Sequence, residues 1–197
     1  MVVGRSIRPN DIRVTDEIMC ANKVSISEEK ACEYFFKDLD NSANAVLEKL
    51  GKMFPDYFKS IDVKKGRKII FYTLVYCGML RLRESFSSKQ SESIRNYVSR
   101  ALAAEDFHLV QKELLHAHET WDEEMYKPIP EHPLENVARY LYLEIGMPLQ
   151  RVKFGNRILN RPNLAVVYVI ESILVLATTF WIEISKRFDI TSVYETN

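Results

Sequence analysis

Glycine is scarce in this chain of 197 residues, with six in all, and that scarcity argues against a turn-rich all-β fold. Cysteine is sparse and odd in number. Cys20, Cys32 and Cys77 share no metal-binding or redox spacing, and the opening MVVGRSIRPNDIR holds no apolar stretch of signal length. A reducing, cytoplasmic setting is therefore expected. Excess charge of either sign is missing, since 27 Lys and Arg balance 27 Asp and Glu. A neutral chain has no global pull on nucleic acid or anionic lipid, so any such binding must come from a local patch. No phosphate loop, nucleophile elbow, Cys–His pairing, repeat or low-complexity tract stands out. The sequence accordingly assigns no catalytic residue, no metal and no cofactor.

What is present is hydrophobicity in helical order. The apolar fraction is 47% and the charged fraction 27%, which suits one globular domain, or one domain plus an arm. Residues 1–24 show no helical pattern; Pro9 and Asn10 break the start, and Ile12, Val14 and Ile18 alternate weakly with charges. They are read as an extended N-terminal arm, and residues 25–197 as the helical domain. Ser25 or Ser27 opens a helix to about residue 53, with acids in its first turn. The DLDNSAN stretch at 38–44 is poor helix material and a possible split. Asp62 begins the next helix, to about residue 84, and residues 85–93 read as a polar loop.

Two amphipathic stripes follow, one through Ile94, Tyr97, Val98, Ala101 and Leu102, the other through Phe107, Val110, Leu114, Ala117, Trp121 and Met125. PIPEHP at 128–133 is a linker that no helix crosses. Another amphipathic helix runs from Leu134 to Ile145, where Gly146 and Pro148 stop it. A basic connector at 149–161 leads to Pro162, which opens a last helix to about Phe188. The expected fold is all-α: a single-domain bundle of six or seven helices with a hydrophobic C-terminal core helix and the N-terminal arm.

Leu164 to Ile182 is the one long apolar run, with Glu171 its only charge. Such a helix is about 28 Å long, close to the thickness of a bilayer core. On a helical wheel Glu171, Ser172, Thr178, Thr179, Glu183 and Lys186 share one half, interrupted by Leu164, Tyr168, Val175 and Ile182. A mid-span carboxylate and a polar half favour a core helix over a membrane anchor at 164–184. A buried Glu171 needs a partner, and Arg81, Arg139 or a tyrosine hydroxyl is expected to supply it.

The strongest candidate site is the basic connector. Arg151, Lys153, Arg157 and Arg161 lie together with no acid among them, Phe154 sits between two of the cations, and Gly155 permits an unusual turn. Cations engage phosphates and an aromatic stacks on a base, so this stretch suits a nucleic-acid backbone. Lys64, Lys65, Arg67 and Lys68 form a second cluster that would extend the groove if the fold joined them. Glu105–His108 and Glu113–His116 both read E-x-x-H, yet on one helix they are offset by about 80° and do not converge on one metal pair. The acidic stretch 119–131 could face the basic connector of a neighbouring subunit, a head-to-tail arrangement.

The sequence therefore leads to a non-enzymatic, cytoplasmic binding and assembly protein, a self-associating homo-oligomer that holds single-stranded nucleic acid in the manner of a nucleocapsid or coat protein. A protein anchored to a membrane by residues 164–184 is the alternative, and a helical metalloenzyme using the Glu/His region is the third reading.

Overall fold

The computed structural model describes residues 23–59, 61–102, 107–119 and 132–191; of His118, Glu119 and Phe154 only the backbone is described. The expected arm lies outside these residues apart from Lys23 and Val24. The described chain is mostly helical, in keeping with the all-α expectation, but two small sheets are added to it.

Strand β1 (Val24–Ser27) leads directly into helix α1 (Glu28–Met53). The Ser27 side chain caps α1 by accepting from the Lys30 N–H at 3.2 Å. The polar stretch at 38–44 does not split the helix. Leu39 and Ala43 are buried there, while Asp40 and Asn44 both accept hydrogen bonds from the Arg67 guanidinium, so tertiary partners override weak local propensity. Pro55 opens a single turn, α2 (Pro55–Phe58), which the sequence reading missed.

Helix α3 (Val63–Leu80) starts at Asp62, whose carboxylate accepts from the N–H groups of Lys64 and Lys65, both at 3.0 Å. It ends at Arg81 instead of running to residue 84, and a separate turn, α4 (Leu82–Ser85), follows. The expected loop at 85–93 shrinks to Phe86 and Ser87. Ser87 caps helix α5 (Ser88–Ala101) by accepting from Gln90 N–H at 3.3 Å. The polar run looked loop-like because Ser87, Ser88, Lys89 and Glu92 face water around a buried Ser91.

Helices α6 (Phe107–Glu119) and α7 (Glu135–Glu144) bury Phe107, Val110 and Leu114, and Val137, Ala138 and Leu141, of their expected stripes; Trp121 and Met125 lie outside the described residues. The N–H groups of Gly146 and Met147 return to the carbonyls of Leu143 and Tyr142, closing α7 with a Schellman motif.

The basic connector is not a coil. It folds as an antiparallel hairpin of β2 (Gln150–Phe154) and β3 (Arg157–Arg161). Asn163 then caps helix α8 (Leu164–Thr178), and the last helix breaks at Thr179 into a second piece, α9 (Phe180–Arg187). Thr178 and Thr179 hydroxyls donate back to the Val175 and Leu176 carbonyls at the break, a bond type that bends helices. Strand β4 (Phe188–Thr191) ends the described chain and pairs in parallel with β1, Val24 opposite Phe188.

The core centres on α3, not on the C-terminal rod. Helix α3 packs against α1, α6, α7 and α8, while α8 rests on α3, α7 and α1. Phe35 of α1 meets both Phe180 and Trp181 of α9 at 5.0 and 4.9 Å between ring centroids. Gly78 lets the Phe35 ring of α1 lie directly on α3: a Cβ there would be 2.6 Å from Phe35 Cε2.

Candidate functional site

Two residues, Gly155 and Asn156, connect the strands of the hairpin. Gly155 has φ +57°, and a Cβ there would meet nothing within 4 Å, so the left-handed backbone and not crowding calls for glycine. The base of the hairpin is pinned to α2. The Tyr57 hydroxyl accepts from Gln150 Nε2 at 2.5 Å and from Asn163 Nδ2 at 3.0 Å.

Strand alternation divides the cations. Pairing of Arg151 with Asn160 and of Lys153 with Ile158 places these four on one face. Gln150, Val152, Arg157, Leu159 and Arg161 belong to the other face, where Leu159 and Arg161 are half-buried. The Arg151 face is wholly exposed, and Ile158 on it is 72% exposed. Arg151 and Lys153 are thus presented side by side, about 7 Å apart along the strand, next to an amide and an apolar side chain. Of Phe154 only the backbone is described, paired with Arg157 at the end of the hairpin. No acid occurs in the sequence between Glu144 and Glu171, so the hairpin carries positive charge without an internal counter-ion.

The second cluster behaves differently. Lys65 lies 3.8 Å from Glu144, Arg67 is held by Asp40 and Asn44, and Lys68 stands over the Tyr72 ring. Lys64 is exposed at the start of α3. The two clusters share one end of the molecule, because the Lys65–Glu144 pair sits at the end of α7, six residues before the hairpin begins. Of the nine predicted residues, the structure brings Arg151 and Lys153 onto one open face, turns Arg157 and Arg161 away from it, and commits Lys65 and Arg67 to acids. Ile158 and Asn160 were missed. Their signal was the Gly–Asn dipeptide between RVKF and RILN, a hairpin signature that converts a list of cations into two faces.

Glu171 is buried at 3% exposure, and its expected partners are elsewhere. Arg81 pairs with Glu84, and Arg139 pairs with Glu135. His132 Nδ1 lies 2.6 Å from Glu171 Oε2, and the Leu134 N–H donates to Oε1 at 3.0 Å. The His132 ring stacks on Tyr168 at 4.5 Å. Sequence distance hid this arrangement: the carboxylate of α8 holds the chain that enters α7, which serves folding.

The remaining reactive groups are subdued. Burial, with Glu28 and Glu29 adding to it, pushes the Cys32 thiol up to about 12, and burial raises Cys77 as well. Both are thiols, not thiolates, at neutral pH. His108 and His116 are exposed on α6, Glu113 accepts from the Tyr140 hydroxyl at 2.6 Å, and no group of three or more potential metal-binding side chains occurs among the described residues. Glu105 and residues 120–131 of the acidic stretch lie outside the described residues. Comparison with family models, with curated proteins and with solved structures finds no match to this chain.

Proposed function

We propose that the chain is a non-enzymatic binding protein whose β2–β3 hairpin holds the phosphate backbone of single-stranded nucleic acid. The observation that carries the reading is the exposed face on which Arg151 and Lys153 stand side by side, with no acid on the hairpin to neutralise them. Asn160 adds a hydrogen-bonding amide and Ile158 an apolar surface against which a base can lie. Lys64, at the same end of the molecule, extends the contact. Such a site reads charge and not sequence, so the recognised feature is the backbone. Self-association and a cytoplasmic setting belong to the same reading.

Binding of a fluorescent single-stranded oligonucleotide across a salt series tests it. Affinity is expected to fall steeply with salt. R151A together with K153A should flatten the slope of log K against log salt by about 1.4, two phosphate contacts at roughly 0.7 each. Affinity independent of salt, or a slope unmoved by the double substitution, overturns the proposal.

A further inference from the structure

Helix α8 differs from its neighbours in what it shows to water. The exposed residues of α1, α3, α5, α6 and α9 include charged side chains. Those of α8 include none: Leu164, Ala165, Ser172, Val175 and Leu176 are exposed, and its one charge, Glu171, is buried. At about 100° per residue, positions 164, 165, 168, 169, 172, 175 and 176 fall within about 140° of the helix and form one continuous face about 22 Å long. An uncharged face of that length on the outside of a fold marks a place where something docks.

The face runs into a groove of about 610 Å³ between α1 and the α8–α9 pair. Leu176 stands where the two meet, 69% exposed, and Ile173 and Phe180 carry the apolar surface into the groove. Sixteen residues line the groove, and Leu164, Ala165, Tyr168, Val169, Ser172 and Val175 lie on the face outside it. Together they match the roughly 20–30 residues that one side of a standard protein interface uses. The rim decides the partner. Lys37 and Arg187 stand on it with Asp38 and Glu183, all four exposed, so charge of the two signs is equal there. A lipid surface calls for cations in excess around an apolar helix face. A balanced rim complements its own copy, because a two-fold axis can set the cations of one rim against the acids of the other.

We propose that the outer face of α8 and the adjoining groove are the interface of a homodimer, with α8 of one copy lying on α8 of its partner about a two-fold axis. This interface gives a surface to the self-association in the reading above, and it rests on that part of the reading alone. The hairpin takes no part in it. Leu176 serves the pairing and not the fold of the single chain.

Sedimentation velocity of the full chain over a dilution series tests this. The expected species has the mass of two chains. L176R buries a charge in the interface and should weaken pairing at least about tenfold while the far-ultraviolet spectrum stays helical. L109R, at a leucine of α6 that is 61% exposed, should leave the dimer intact, as should R151A with K153A. Cys32 and Cys77 are buried, so in a C20S background an introduced S172C is the reactive thiol, and a bismaleimide should join two copies through it. N96C, exposed on α5, should not be joined. A single chain at every concentration, a dimer unmoved by L176R, or linkage through N96C as ready as through S172C overturns the assignment. A chain that pairs through S172C yet binds no oligonucleotide refutes the hairpin's role and upholds the interface.

Discussion

Helix α3 is enclosed by α1, α6, α7 and α8, and within residues 69–79 every side chain but Phe71 is buried. Helix α8 continues through α9 as a segment long and apolar enough to cross a membrane, yet only 44% of its most apolar window is buried. In sequence both are long, mostly apolar runs. In the fold they differ in what covers them. Leu164, Val175 and Leu176 of α8 point outward, whereas Glu171 and Thr178 point inward. The apolar content of a run therefore does not rank helices by depth; the elements packed around it do.

Truncation in α3 should have the largest effect. Leu74 is 1% exposed, so L74A should lower unfolding free energy by about 2–5 kcal/mol in a urea melt, the usual cost of a buried cavity. A smaller effect is expected from the polar residue that α8 turns inward. E171A leaves the buried Leu134 N–H without its acceptor and should cost about 1–3 kcal/mol by the same assay. The smallest effect should come from the outer side of α8, where L176S should change stability by no more than about 0.5 kcal/mol. A loss at Leu176 equal to that at Leu74 would erase the distinction between the helices.

Much of this architecture was legible in the sequence. Ser27, Asp62 and the Gly146–Pro148 stop marked helix ends through capping and backbone rules that act within a few residues. Phe35, Leu39, Val46 and Leu50 marked the inner side of α1 through a period that needs no tertiary information. The errors lay where distant groups decide. Helix α1 survives its polar middle because Arg67 holds Asp40 and Asn44. Strands β1 and β4 are four residues each and exist through each other across the chain. Glu171 found His132 and Leu134, 37 to 39 residues away, instead of an arginine.

The candidate site was legible as composition and not as geometry. The cations were plain, and their division between two faces depended on the register of a hairpin that the sequence showed only as a basic connector. The wheel of α8 also erred in a telling way. The four residues that interrupted its polar half, Leu164, Tyr168, Val175 and Ile182, do lie towards water or are only partly covered, whereas Glu171 and Thr178 turn in.

Hydrogen exchange of the full chain with and without a single-stranded oligonucleotide tests the hairpin's role most directly. The account predicts slowed exchange at residues 151–153 and 158–160, with α1 and α3 unchanged. Unaltered exchange along the hairpin in the presence of bound oligonucleotide would contradict it.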